Sequence, residues 1–346
     1  MATTCAITHS YVSRGCRKCV RVDFEAQFLA LHLNFGVFLR MAKRLIPVLT
    51  LLLVSALWGA HAVVGKAVEA QLDPNALTLW RFTFGALCYA PWFGHLKSLW
   101  SLSARRKWQI LFTGLCFSVF YPLLYYQSLS LLTPVESLLL VDTAPFMAAL
   151  FSRVLFKERL SVATWAGIAI AFSGVAVLVA AQWNGHFSLT GLGLALAAAA
   201  AFAAYTVASR SLFRQFPLVD VLTATSVVGA VSLWVIVPLF TPFHSLVNAL
   251  SPLSRTGWVE LAYIVLIVST LAYALYGFGL KRVPTGIASA LTFYPQVIFG
   301  ALLQWLWLGI PPGVPVYISA LLILCGSAVM QWGGLRRGTV SMRESA

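Results

Sequence analysis

Charge is what this chain has least of. Only 10% of its 346 residues are Asp, Glu, Lys or Arg, against about 25% in ordinary soluble domains. Hydrophobic residues make up 60%. A soluble fold could not hide that much apolar surface, so the bilayer is the solvent. Acids are scarcer than bases: 10 Asp and Glu stand against 24 Lys and Arg, a formal net charge of +14. In a soluble protein such an excess would point to nucleic acid. Here the bases sit in short segments between apolar runs. Orientation in the membrane accounts for them, and no nucleic-acid partner is expected.

Catalytic and metal signatures are missing too. There is no G-x-x-x-x-G-K-[ST] run, so nothing supports direct ATP coupling by this chain. Neither H-E-x-x-H nor any two-His motif occurs. No cofactor and no metal is expected. The six cysteines imply no disulfide framework. Cys16 and Cys19 form a lone C-x-x-C with no second pair and no nearby His, a weak basis for zinc. Cys88, Cys116 and Cys325 lie in apolar runs and read as small hydrophobes. Residues 1–40 lack a span: their one apolar stretch, 28–39, is short and holds His32 and Asn34. The run Met41-Ala42-Lys43-Arg44 then precedes a long apolar segment and resembles a bacterial start. Residues 1–40 are therefore read as an upstream extension or dispensable tail. Asp23, Glu25 and the want of a small-residue cleavage site weaken a targeting role.

What is present is a series of ten apolar runs of about the span length of 20 residues: 45–66, 75–94, 108–130, 134–155, 161–181, 189–209, 218–240, 257–280, 284–307 and 313–333. The alternate loops differ sharply in base content. One set, starting with Lys43 and Arg44 and ending with Arg343, holds sixteen Lys and Arg, while the other holds only Lys66 and Arg255. The basic set faces the cytoplasm. Both termini then lie there, which requires an even number of spans.

The runs also repeat. Trp108, Tyr126, Pro134 and Pro145 return 150 residues later as Trp258, Tyr276, Pro284 and Pro295. Proline is costly inside an apolar helix, so the repeated P-x10-P spacing is unlikely by chance. Earlier in the unit, Trp58, His61, Lys66 and Gly85 match Phe202, Tyr205, Arg210 and Gly229 at an offset of 144. Five spans per copy is odd, so the second copy enters the membrane from the opposite side. The expectation is an all-α polytopic membrane protein of ten transmembrane helices in two inverted five-helix repeats, 41–182 and 183–333, with a cytoplasmic tail at 334–346. Inverted repeats are a hallmark of secondary transporters.

These features resemble the EamA-type family of the drug/metabolite transporter superfamily. The resemblance rests on the two five-span halves and on Trp80-Arg81-Phe82 in the second span. It rests further on Thr133-Pro134 through Pro145 to Lys157-Glu158-Arg159, on Gly167 and Ser173-Gly174, and on Cys325-Gly326. It covers about 45–333 and implies export or exchange of amino acids or other small metabolites by alternating access. The second half departs from the pattern: Leu308-Gly309-Ile310-Pro311-Pro312 stands where a Glu would follow the ninth span.

Ionisable residues inside spans are costly and are functional candidates. His61, Arg81, Glu136 and Asp142 are such residues. At about 1.5 Å per residue, the first two and Asp142 lie roughly 7, 9 and 12 Å below the outer ends of their spans, and Glu136 about 3 Å. Their repeat mates are Tyr205, Thr225, Gly286 and Thr292, all uncharged. A polarised site is expected: charge from the first half, aromatic and hydrogen-bonding walls from the second. The candidate substrate-binding residues are Arg81, Asp142, His61, Trp58, Tyr126, Tyr205, Thr292, Tyr294 and Gln296, with Tyr273 as a further wall residue. Arg81 could bind a substrate carboxylate bidentately, or pair with Asp142 to fix the second span against the fourth. Asp142 or Glu136 could carry a coupling proton, although Glu136 sits where a solvated side chain is expected. Pro134, Pro145, Pro284 and Pro295 are expected to kink their helices. Asp220 and Glu260, near span ends, are read as solvated.

The expected function is a secondary transporter that exports a small polar or amphipathic solute by alternating access across the bacterial cytoplasmic membrane. Its partners are a small-molecule substrate and the lipid bilayer, and it acts as a monomer or homodimer. The alternatives are a membrane-embedded enzyme, which would need a catalytic cluster, or a scaffold, which would not need buried charge.

Overall fold

The structure, a computed structural model, describes residues 45–157, 160–181, 188–280, 282–283 and 285–344. Side chains at 98–100, 156, 280, 285–290, 294 and 331–344 lie outside that description, as do Pro284 and residues 1–44. The chain forms two units, Met1–Pro47 and Val48–Ala346. The first is described only from residue 45. Among the described residues all regular structure is helical.

Eight helices are long and apolar enough to cross a membrane. The principal helices are α1 (Leu45–Glu69), α2 (Pro74–Cys88), α3 (Ala104–Leu131), α4 (Pro134–Leu155) and α5 (Val162–Ala181). They continue with α6 (Leu189–Gln215), α7 (Leu218–Leu239), α8 (Arg255–Gly279), α9 (Thr285–Leu308) and α10 (Val314–Glu344). Two of the ten expected spans fall short by length. Helix α2 has 15 residues before the chain tightens into a 3-10 stretch at Ala90–Ser101. The apolar part of α10 is Val314–Met330.

Local chemistry sets several helix ends. Asp73 caps α2 by accepting from the backbone N–H groups of Asn75 and Ala76, at 2.9 and 3.2 Å, and Pro74 occupies the first turn. Thr133 caps α4 in the same manner, in a reciprocal box with Glu136. Pro134 therefore opens a helix; it does not kink one. Pro145 does mark a break. Helix α4 stops at Val141, turns through Asp142 and Thr143, and resumes at Ala144, with Pro145 in the new first turn. At the break Leu140 O accepts from the Thr143 hydroxyl at 2.6 Å and from the Thr143 backbone N–H at 3.2 Å, so that carbonyl stays satisfied. Pro295, by contrast, sits inside an unbroken α9. The proline pattern thus repeats in sequence while only Pro145 interrupts its helix; Pro284 lies outside the described residues.

Helices α3 and α8 each carry a π-helical stretch, Cys116–Phe120 and Tyr263–Ala272. Shifting the first by the 150-residue offset lands it inside the second.

Close crossings use small residues, which let backbones approach. Gly59 on α1 meets Gly300 and Phe299 on α9. Gly229 on α7 lies against Ser118 on α3, while Gly85 on α2 faces Ser269 on α8. Gly167 and Gly174 on α5 face Gly326 and Ser319 on α10. Helix α6 packs on α3 and α4. Helix α1 meets α8, where the Tyr263 hydroxyl donates to Leu57 O at 2.9 Å.

Candidate functional site

Where α1, α2, α3, α4, α6, α8 and α9 converge, they leave a small cavity of about 30 Å3, part of it open at its mouth. Helix α1 contributes Trp58 and His61, α2 Arg81, α3 Tyr121 and Tyr125, and α4 Leu138 and Val141. From the other end of the chain come Phe202 on α6, Val268 and Tyr273 on α8, and Phe293 and Gln296 on α9.

Arg81 is the polar centre of this wall and is only 1% exposed. Its Nε donates to Ser269 Oγ at 2.8 Å. Its Nη1 donates to the Tyr126 hydroxyl at 3.0 Å and lies 3.1 Å from His61 Nε2. The Tyr126 hydroxyl is itself 2.8 Å from His61 Nε2. An imidazole nitrogen facing a guanidinium N–H must accept, so the proton of a neutral His61 belongs on Nδ1. Each edge of the guanidinium fork therefore already has one nitrogen engaged by protein. The bidentate carboxylate clamp expected from sequence is not free, and Nη2 alone is left without a hydrogen-bond partner among the described residues.

Arg81 does not pair with Asp142. No salt bridge among the described residues includes either side chain. Asp142 is 4% exposed and accepts a short hydrogen bond from Gln296 Nε2, while its Oδ2 has no partner among the described residues. The α4–α9 contact is thus a carboxylate–amide pair placed at the α4 break. Arg81 bonds to α8 and Asp142 to α9, so two separate helix pairs use the two charges.

The other candidates divide. Tyr126 is fully buried behind the lining, bridging Arg81 and His61. Tyr205 lies outside the lining and stacks on Phe117 with ring centroids 4.6 Å apart. Thr292 is buried on α9, one turn before Gln296. The Tyr294 side chain lies outside the described residues. Glu136 is not solvated: it is 6% exposed, and its Oε2 accepts from Thr133 N–H at 2.9 Å, completing the helix cap. Asp220 receives His95 Nδ1 at 2.8 Å, and Glu260 is buried; neither is simply in water.

Sequence reasoning missed Tyr121, Tyr125, Phe202, Phe293 and Ser269. Phe202 carried a signal, because it is the repeat mate of Trp58, and both line the cavity. Tyr121 and Tyr125 are spaced i, i+4 beside Tyr126 and share one helix face. Ser269 carried none. The aromatic wall is continuous: Trp58 lies 5.2 Å from Tyr273, 5.2 Å from Tyr276 and 6.0 Å from Phe293.

The apolar helices and a central polar-aromatic cavity lined from both halves of the chain fit the class of membrane transporters, and the comparisons with known proteins show that class. The chain is a member of the EamA-like transporter family, whose model matches it twice, over residues 45–180 and 189–332. It is similar to the uncharacterized transporter YwfM of Bacillus subtilis (strain 168), 26% identical over 250 residues, covering 70% of this chain and 80% of that protein. It is also similar to a probable amino-acid metabolite efflux pump of Salmonella typhimurium, 28% identical over 254 residues, covering 71% of this chain and 82% of the relative. A solved crystal structure shares the fold, with a TM-score of 0.58 and 24% identity, covering 84% of this chain and 96% of its own.

Proposed function

We propose that this membrane transporter exports a small amino-acid-like or amphipathic metabolite across the bacterial cytoplasmic membrane by alternating access. The observation that carries the reading is the cavity itself. Its one charged group among the described residues, Arg81, comes from α2, and its polar and aromatic walls come from both halves, Trp58, His61, Tyr121 and Tyr125 from the first and Phe202, Tyr273, Phe293 and Gln296 from the second. The moving parts in this reading are two inverted five-helix halves, 41–182 and 183–333, of ten spans, with both termini cytoplasmic.

Three observations support two equivalent halves, and the odd number of five spans in each supports their inversion. The family model matches twice. The π-helical stretches of α3 and α8 fall at equivalent repeat positions. The packing is reciprocal: α2 lies on α8 while α7 lies on α3, and α1 meets α9 while α6 meets α4. A two-fold axis that exchanges the halves produces this pattern. The similarity to an amino-acid metabolite efflux pump supports the solute class and the direction.

Asp142 is the proposed coupling residue, since it is buried at the α4 break with one oxygen unpartnered among the described residues. Glu136 is committed to a helix cap and is left out of that role. Counterflow in proteoliposomes, with and without an imposed pH gradient, tests both statements. Flux of an amino-acid solute that responds to the gradient is expected, and Asp142→Asn should remove the response. Absence of counterflow with every solute, in folded protein, would overturn the transport reading. A gradient response that survives Asp142→Asn would overturn the coupling.

A further inference from the structure

Among the described residues Arg81 is the one charged side chain that lines the cavity, and no acid accompanies it in the lining. It is almost fully buried in a membrane protein, where an uncompensated cation is costly. Its described neighbours Ser269, Tyr126 and His61 are all uncharged groups that engage Nε and Nη1. Nη2 is left over. Two further lining groups are in the same condition: Trp58 Nε1 and the Tyr125 hydroxyl are buried without a hydrogen-bond partner among the described residues. An indole N–H can only donate. The cavity therefore holds an excess of donors around one positive charge.

Acceptors are few. Gln296 lines the wall, but its amide nitrogen is turned to Asp142, which is itself not part of the lining. Among the described lining residues, an ammonium group entering here would meet Arg81 and the donors, with a neutral amide oxygen and phenolic oxygens as the side-chain acceptors. The rest of the wall is apolar, from Leu138, Val141, Val268, Phe202 and Phe293.

From this we infer that the site recognises a monocarboxylate with an uncharged apolar body, and that a substrate ammonium adds nothing to its binding. One cation matches one negative charge, so a dianion would remain half compensated. The carboxylate would take Nη2 together with the donors of Trp58 and Tyr125, and the body would pack on the aromatic wall. This rests on the transport reading only for its name as a substrate site; binding itself does not require flux.

Four probes of one body separate the possibilities: 3-phenylpropionate (anion), phenylalanine (zwitterion), 3-phenylpropanamide (neutral) and 2-phenylethylamine (cation). Their affinities are read by calorimetry on the intact, detergent-solubilised protein. The anion is expected to bind about tenfold or more tighter than the amide, the size of one charge-assisted hydrogen bond, and the amine weakest. Phenylalanine should bind no tighter than 3-phenylpropionate. In Arg81→Gln the acid and the amide should become equal. Where that variant does not fold, the four affinities of the unaltered protein decide alone. Equal binding of acid and amide, tighter binding of the amine or of phenylalanine, or no binding of any probe would overturn the inference. Counterflow of each labelled probe, 3-phenylpropionate included, is read in parallel. Binding in the expected order without flux would support the site and remove the transport reading, whereas flux without acid preference would do the reverse.

Discussion

At the scale of single residues, the hydroxyl of Tyr126 is the shared partner in the Arg81 cluster. It accepts from Arg81 Nη1 and pairs with His61 Nε2 in a fully buried position. Tyr126→Phe keeps the ring and its edge contact with His61 while leaving two buried groups short of a partner. A loss of about 1–3 kcal/mol of stability is expected, read as a lowered melting temperature in detergent. Acid affinity should fall with it, because the guanidinium is no longer held. Unchanged melting and affinity would remove Tyr126 from the positioning of Arg81. The sequence marked Arg81, His61 and Asp142 as residues of interest because charge is expensive in a bilayer wherever it points. It could not tell which charge faces which. Helix rotation decides that, and it turned Asp142 toward Gln296 and Arg81 toward Ser269, a residue with no sequence signal at all.

At the scale of elements, the two halves use equivalent contacts with unequal tightness. A Cβ added at Gly85 would lie an ordinary 3.8 Å from Ser269, whereas one added at its repeat mate Gly229 would overlap Ser118. Gly229→Ala is therefore expected to cost about 1–3 kcal/mol by overpacking. Gly85→Ala should stay within about 0.5 kcal/mol. Melting of the two variants side by side checks this, and equal effects would count against the α3–α7 crossing as described. The prolines differ likewise. Pro145→Ala restores a backbone N–H at the α4 break and is expected to lower flux several-fold while the protein stays folded, because a straighter α4 displaces Asp142 from Gln296. Pro295→Ala sits in a continuous helix and should alter flux less. Equal flux in both would separate the break from the mechanism. Long apolar runs made most helices legible, since lipid demands them. The prolines were less legible, because one at a helix start and one within a span look the same without the cap: Thr133 and Glu136 settle the matter for Pro134. The π-helical stretches at Cys116–Phe120 and Tyr263–Ala272 have no recognisable residue signature and came only from the backbone.

At the scale of the whole molecule, duplication alone does not fix topology. Parallel copies would put equivalent loops on one side of the membrane, and inverted copies would put them on opposite sides. The best pair to ask is the loop before α3 and the loop before α8, because Trp108 and Trp258 place them at the same point of the repeat. The first carries Arg105, Arg106 and Lys107, and the second carries only Arg255. That imbalance predicts a cytoplasmic first loop and an external second one. Arg105 and Ser254 are suitable positions, since both are exposed and neither lines the cavity. In a cysteine-free background, Ser254→Cys should react with a membrane-impermeant maleimide added to intact cells. Arg105→Cys should react only after the membrane is opened. Labelling of both from the same side would replace the inverted halves by parallel ones. The reciprocal packing of α2 on α8 and α7 on α3 would then belong to a two-fold axis along the membrane normal, whereas labelling from opposite sides assigns it to an axis lying in the membrane plane, the operation that exchanges those pairs while reversing the direction of each helix.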